Sequence, residues 1–108
     1  MLSRLIIRNY AIIPELDIAI QPGLTIITGE TGAGKSILLG ALGLALGRRA
    51  ETKVLPDDDS KCIVEAHFQL EEESLKPLFN TEGLDYDSLL ICRREISSGG
   101  RSRSFIND

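Results

Sequence analysis

One segment of the chain combines the residue types that bind a phosphate group, at the spacing of a known loop. Gly29, Gly34, Lys35 and Ser36 match the motif G-x-x-x-x-G-K-[ST] at every specified position. Glycines let successive backbone N–H groups point inward, and a helix that begins within the loop adds the positive end of its dipole. The lysine is then a point charge for the β- and γ-phosphates of a nucleotide, and the hydroxyl is a ligand for Mg²⁺.

The predicted phosphate loop comprises Gly29, Glu30, Thr31, Gly32, Ala33, Gly34, Lys35 and Ser36. The alternative is a glycine-rich turn that merely joins a strand to a helix. Such a turn needs neither a lysine followed by a hydroxyl nor three glycines at these offsets. The pattern therefore favours binding of ATP and Mg²⁺.

The elements on either side of the loop have the order that the motif requires. Residues 24–28 form a short, nearly continuous apolar run, which is typical of a central strand covered on both faces. Residues 36–46 are apolar nearly all round and predict a helix that is buried on more than one side. Gly40 and Gly43 are expected to allow close backbone approach, and Gly47 is expected to end the helix.

The remaining sequence predicts more strands than helices. Apolar alternation predicts strands at residues 2–8, 15–20, 62–70, 89–96 and 101–106. Residues 97–100 are expected to turn the last two into a hairpin, and residues 71–80 to form a short helix limited by Pro77. The expected fold is α/β, with a mixed sheet around residues 24–28, a buried helix after the phosphate loop and a β-hairpin.

Length and composition bound the class of protein. The 108 residues are 43% hydrophobic and 26% charged with a net charge of -4, which suits one globular domain. No apolar run reaches the ~18 residues of a membrane span, and the N-terminus lacks the pattern of a signal peptide, so we expect a soluble cytosolic protein with no membrane partner. Cys62 and Cys92 have no His or Cys at metal spacing and are expected to be buried thiols.

Basic residues gather near the end of the sequence, at Arg93, Arg94, Arg101 and Arg103. They can form a patch that faces an anionic partner, or simply the solvated face of a hairpin. Composition alone favours the solvated face.

Three other candidates have a simpler structural reading. His67 alternates onto the polar side of its strand and is expected at the surface. Asp57, Asp58 and Asp59 are adjacent acids in a loop, which are usually solvated. Residues 97–100 look like the Ser-Gly-Gly core of the signature motif of ABC-type ATPases, but that motif opens a helix and these residues lie between two strands.

Beyond the generic motif, the sequence closely resembles the N-terminal segment of the RecN family, the bacterial DNA-repair ATPases related to the structural-maintenance-of-chromosomes (SMC) proteins. The resemblance covers essentially the whole chain and is carried by residues 5–13, 23–38, 46–50, 93–96 and 100–107. The Gly-Glu-Thr-Gly form of the phosphate loop is more specific than the generic motif. The resemblance implies a P-loop NTPase half-head of the ABC/SMC type.

That family implies several partners. Its heads bind ATP in pairs, and a coiled coil separates the two halves of each head. Residues 1–108 would then be the N-terminal part of a head, with the C-terminal half of the same head, a second head in a homodimer and DNA as partners. Arg48 or Arg49 resembles an arginine that related heads place near nucleotide or DNA.

The resemblance also limits what this segment does alone. The apolar strand ending in Asp-Glu, a true signature helix and the later glutamine loop are missing from the sequence, so ATP hydrolysis is expected of the full-length protein only. The expected setting is double-strand-break repair and recombination in the bacterial cytoplasm, at the nucleoid. Two alternatives stay open: a DNA-binding module that uses no nucleotide, and a small P-loop phosphotransferase, which needs an acceptor base and lid arginines.

Overall fold

A five-stranded antiparallel sheet with one long helix on its inner face forms the frame of the protein. The computed structural model describes residues 1–28, 32–50, 60–71 and 73–107. The strands are β1 Leu2–Tyr10, β2 Ile13–Ala19, β3 Cys62–Gln69, β4 Leu89–Ile96 and β5 Ser102–Ile106, in the order β2-β1-β3-β4-β5. The helices are α1 Gly32–Ala45 and α2 Lys76–Thr81, with a short 3₁₀ turn at Glu73–Leu75 before α2. The predicted α/β class is confirmed.

The core lies between α1 and one face of the sheet. Side chains alternate along each strand, and the pairing of Leu5 with Ala66 and of Ile7 with Val64 brings the apolar sides of β1 and β3 together. The buried residues on this inner face are Leu5, Ile7, Cys62, Val64, Ala66 and Ile96. Ala41 and Leu44 of α1 pack against them. The predicted alternation of β3 is therefore confirmed.

The outer face of the sheet carries charged residues interspersed with half-buried apolar ones. Arg4 on β1 donates two hydrogen bonds to Asp17 on β2, at 2.8 and 2.5 Å. The hydrogen bond from Arg4 lowers the pKa of Asp17. Because both side chains are about half exposed, this ion pair contributes little to stability. His67 lies on the same face, as expected, but it is half-buried rather than fully exposed.

The first hairpin differs from the predicted one at its turn. Ala11 and Ile12 form the connection, and Ala11 adopts a positive φ of 49°. Residue 14 falls between the predicted strands at residues 2–8 and 15–20, but in the structure Pro14 lies within β2. An edge strand tolerates proline because one side of its backbone has no strand to bond, and β2 is such an edge.

The predicted central strand at residues 24–28 is not a strand in the structure. These residues belong to no strand, and Leu24 is 88% and Ile26 73% exposed. The apolar pattern is typical of a buried strand, but a strand needs neighbours to bond its backbone. The five described strands pair with one another, all antiparallel, and none of them pairs with this segment. The expected mixed sheet is therefore corrected to an antiparallel one over the described residues.

The predicted burial of α1 on more than one side is also wrong. Ala41, Gly43 and Leu44 are buried, whereas Leu39 is 67% exposed. The helix lies on a single sheet, so only the side that faces β1, β3 and β4 is covered. Among the described residues, no helix has both the length and the apolar character needed to cross a membrane.

The connection from β3 to β4 contains the predicted short helix in two parts. Pro77 occupies the first turn of α2, where its missing N–H costs no helical hydrogen bond. Phe79 is buried and meets the ring of Tyr86 edge-on at 5.4 Å between ring centroids. The neighbouring Leu78 is exposed.

Both cysteines are free thiols in the structure, as predicted. Cys62 is fully buried, and this burial raises the pKa of its thiol to about 11. Cys92 is half-buried on β4, and burial also raises the pKa of its thiol.

Candidate nucleotide-binding site

The first turn of α1 holds the part of the phosphate loop that the structure describes. The helix begins at Gly32 inside the motif, so the N–H groups of its first four residues have no partner within the helix. Lys35 and Ser36 are exposed, and among the described residues neither has a hydrogen bond or an ion pair. The predicted contributions of Gly29, Glu30 and Thr31 lie outside the described residues, as do the side-chain surroundings of Ala33.

The chemistry of this turn fits an anionic ligand. None of the first residues of α1 is acidic, so within the described part of this turn no carboxylate competes for the free N–H groups or for Lys35. A Cβ placed on Gly34 would meet nothing within 4 Å, which leaves the backbone open to approach. Together the dipole, the N–H groups and the lysine favour a phosphate.

The residues present also fit Mg²⁺ bound together with phosphates. No cluster of three His, Cys, Asp or Glu side chains suited to a metal ion exists in the part of the chain that the structure describes. Mg²⁺ usually keeps several waters and is held by one or two protein ligands plus substrate phosphates. The exposed hydroxyl of Ser36 can supply one such ligand, and the metal would neutralise phosphate charge.

An apolar groove lies beside Lys35, between α1 and the first hairpin. It has a volume of about 360 Å³, and Lys35 lies on its wall. Its other lining residues are nearly all aliphatic and include Leu5, Ile18, Ile20, Ile27, Leu38 and Leu42. The groove therefore connects the predicted phosphate site to an uncovered hydrophobic surface.

The far end of α1 carries Arg48 and Arg49. Gly47 ends the helix with a φ of 102°, which favours glycine, and Arg48 N–H donates to the Gly43 carbonyl at 2.8 Å. The ten residue steps from Lys35 to Ala45 span about 15 Å at 1.5 Å per residue. Arg48 and Arg49 therefore follow the end of α1 that is opposite to Lys35. Their role near nucleotide or DNA stays a prediction.

The four hairpin arginines are not equivalent. Arg94 donates from Nη1 to the carbonyls of Leu44 at 3.3 Å and Arg48 at 3.2 Å. Its Nε donates to Ser102 Oγ at 2.6 Å. Arg94 therefore ties the C-terminal end of α1 to the hairpin.

The other three arginines lie apart from α1's end. Arg93 lies over the Phe105 ring, 4.3 Å from its centroid, whereas Arg101 and Arg103 are exposed. Sequence reasoning missed the capping role of Arg94. It also missed Lys61, which lies with Arg101 and Arg103 around one cleft. The strand register, which pairs Glu95 with both Ile63 and Arg103, is the signal that places these residues together.

Known proteins resemble this chain over nearly its full length. The AAA domain family matches residues 4–102. The DNA repair protein RecN of Haemophilus influenzae is 44% identical over 111 residues, covering 99% of this chain and 20% of that protein. RecN of Bacillus subtilis is 40% identical over 111 residues, covering 99% of this chain and 19% of that protein. The chain thus spans about a fifth of the length of these relatives.

Two solved structures share the fold. The Smc head domain of Pyrococcus furiosus, solved with an extended coiled coil and bound to the C-terminal domain of ScpA, superposes with a TM-score of 0.73 at 18% identity, covering 98% of this chain and 29% of that one. An SMC ATPase structure concerned with ATP-driven dimerization and DNA-stimulated activation has a TM-score of 0.67 at 19% identity. The match covers 98% of this chain and 69% of that one. At such low identity these superpositions establish the fold, and the predicted half-head is confirmed at that level. The chain therefore belongs to the AAA domain family, and its resemblance to the N-terminal segment of RecN/SMC-like ATPases is confirmed.

Proposed function

We propose that this chain is the ATP- and Mg²⁺-binding N-terminal part of an ATPase head that acts in DNA double-strand-break repair and recombination. The observation that carries the proposal is the first turn of α1. There Lys35 and Ser36 are exposed beside free N–H groups and have no partner among the described residues. The bacterial relatives named DNA repair protein RecN support the repair setting. The proposal places this activity in the bacterial cytoplasm, at the nucleoid.

Residues 1–108 form one incomplete part of the head in this proposal. The sequence lacks the acidic residues and the signature helix that complete an ATPase of this kind, so hydrolysis belongs to the full-length protein. The apolar groove beside Lys35 and the exposed residues 24–28 support a missing C-terminal half that covers them. A second head then faces the nucleotide in a homodimer, in line with the ATP-driven dimerization named for one structural neighbour.

Two other functions are less well supported. A DNA-binding module that uses no nucleotide does not explain why Lys35 and Ser36 are exposed beside the free N–H groups of α1. A small phosphotransferase needs lid arginines near the phosphates. Over the described residues, the arginines of the hairpin and those after α1 lie away from the first turn of that helix.

Nucleotide-dependent thermal stabilisation of the full-length protein tests the proposal. A ligand that binds only the folded state raises its stability by RT ln(1 + [L]/Kd), about 2.7 kcal/mol at a ligand concentration of about 100 Kd. We expect ATP with Mg²⁺ to raise the unfolding midpoint of the wild type clearly more than that of Lys35→Ala. An equal midpoint with and without ATP in the wild type would leave the DNA-binding module as the better reading.

A further inference from the structure

A polar cleft lies at the tip of the β4–β5 hairpin. The tip is at the C-terminal end of β4, whereas α2 precedes the N-terminal end of that strand. We call this cleft the hairpin cleft. It has a volume of about 370 Å³ and is lined by Lys61, Glu95, Ser97, Gly99, Arg101 and Arg103. None of these lining residues is aromatic, so the cleft presents no ring on which a base would stack.

The loop that forms the cleft has a defined backbone conformation. Ser97 N–H donates to the Arg101 carbonyl at 2.9 Å, and Gly100 N–H donates to the Ser97 carbonyl at 2.9 Å. Gly100 has a φ of 85°, which glycine adopts without strain. These bonds hold Arg101 at the start of β5 and beside the cleft.

The charges of the cleft do not cancel. Its one carboxylate, on Glu95, is largely covered, and it lies 3.7 Å from Arg93 Nε and 4.0 Å from Lys61 Nζ. Those two cations together exceed its single negative charge. Arg101 and Arg103 are exposed, and their guanidinium groups have no ion pair or hydrogen bond among the described residues. Counted over the described residues, the cleft thus presents a surplus of positive charge to solvent.

The four arginines of the hairpin differ in whether their side chains have contacts within the fold. Arg94 is held by α1 and Ser102, and Arg93 by Phe105 and Glu95, so both are used within the fold. Arg101 and Arg103 retain the planar forks of N–H donors that bind phosphate oxygens in pairs.

We propose that the hairpin cleft binds a phosphodiester group of the DNA backbone through Arg101, Arg103 and Lys61, while Arg93 and Arg94 only build the hairpin. The inference rests on the proposed function for its choice of DNA as the source of phosphate. A polar, open site at one end of a sheet suits a phosphate on an extended polymer, and phosphate contacts position DNA without reading its sequence.

The test compares two doubly substituted forms of the full-length protein that lose the same charge. Arg101→Gln with Arg103→Gln removes two cleft cations. Arg4→Gln with Lys76→Gln removes two cations remote from the cleft, one exposed and one half-buried. Arg4 pairs with His67 near the C-terminal end of β3, and Lys76 follows that end, whereas the cleft lies at the N-terminal end of the strand. Binding of a short fluorescent duplex of mixed sequence is measured from about 50 to 200 mM salt.

We expect the cleft variant to bind DNA roughly tenfold more weakly, with a salt slope about 1.8 smaller, since each lost phosphate contact removes about 0.9 from the slope. The control variant is expected to keep most of the wild-type slope. Lys61→Gln alone should lower the slope by about 0.9, which checks the result with a single exposed substitution.

Two results would overturn the inference: an unchanged slope in the cleft variant, or equal losses in the cleft and control variants. Inorganic phosphate that binds the wild type but not the cleft variant, with DNA binding equal in both, would assign the cleft to a free anion. ATP binding by the same variants is measured in parallel and is expected to equal the wild type. A wild type that binds DNA but not ATP would instead contradict the proposed function without contradicting DNA binding at the hairpin cleft.

Discussion

The hydroxyl of Tyr10 fills the space beside Gly40 that a side chain would otherwise occupy. A Cβ built on Gly40 would lie 2.5 Å from the Tyr10 hydroxyl oxygen and 3.7 Å from its Cζ. Tyr10 is the last residue of β1 and is buried, and Gly40 lies in the middle of α1. This contact sets how closely the helix of the phosphate site approaches the sheet.

Gly40→Ala should therefore destabilise the protein although alanine is the better helix former. The gain in helix propensity is about 1 kcal/mol, and displacing a buried ring by overpacking costs typically about 1–3 kcal/mol. We expect a net loss of about 1 kcal/mol, measured by thermal unfolding. Gly43→Ala is the matched control. There the new Cβ meets only the flexible Arg48 side chain, at 2.8 Å from Cδ, and a neutral or stabilising effect is expected. Equal effects at both positions would show that the Tyr10 contact is unimportant.

Arg94→Gln should loosen the hairpin from the end of α1. It removes charged donors to the Leu44 and Arg48 carbonyls and to Ser102 Oγ, and a net loss of about 1–2 kcal/mol is expected from such bonds. Arg101→Gln, at an exposed residue of the same hairpin, should change stability by less than about 0.5 kcal/mol. Denaturant unfolding of both variants measures the difference. A harmless Arg94→Gln would mean that α1 and the hairpin are held together without it.

The buried thiol of Cys62 predicts a loss of stability at alkaline pH. Its pKa is raised from 9.0 to about 11 in the folded state because burial disfavours the thiolate. The folded protein thus holds this proton in a range where the unfolded chain releases it. The stabilisation is full below pH 9 and is lost as pH rises through about 11, a change of about 2–3 kcal/mol. Across this range, the unfolding free energy of the wild type should fall by that amount relative to that of Cys62→Ala. Parallel curves would show that Cys62 does not titrate as described.

The open apolar surface predicts association of the isolated segment. Leu39 is 67% exposed on α1, and residues 24–28 and the groove beside Lys35 are uncovered. Residues 1–108 alone should self-associate with rising concentration, and Leu39→Lys should reduce this. Sedimentation over a concentration series is the measurement. A monodisperse monomer of high thermal stability would mean that this segment closes its own core.

Local patterns predicted the elements well where each element can be formed within this chain. The alternation of β3, the turn at residues 97–100 and the stop at Gly47 depend on neighbours nearby in sequence or on the residue's own conformational range. The lysine and hydroxyl of the predicted phosphate loop were identified from spacing, and the structure places Lys35 and Ser36 among the first five residues of α1. Their contact with a phosphate stays a prediction.

What the sequence could not predict depends on contacts between distant segments. Residues 24–28 have the composition of a covered strand, but in the described structure no strand pairs with them. The use of Arg94 as a cap, and of Lys61 as a neighbour of Arg103, follows from how β3, β4 and β5 align. Such pairings join residues up to 50 positions apart, beyond the reach of local periodicity.

Nucleotide affinity of Lys35→Ala in the full-length protein tests the central claim most directly. Charged hydrogen bonds are worth about 1.5–3 kcal/mol each, and about 1.4 kcal/mol is tenfold in affinity. Titration with ATP and Mg²⁺ should therefore show binding weakened by more than about tenfold, with Lys61→Ala, another exposed lysine, unchanged. Wild-type affinity in Lys35→Ala would contradict the assignment of this turn as the phosphate site.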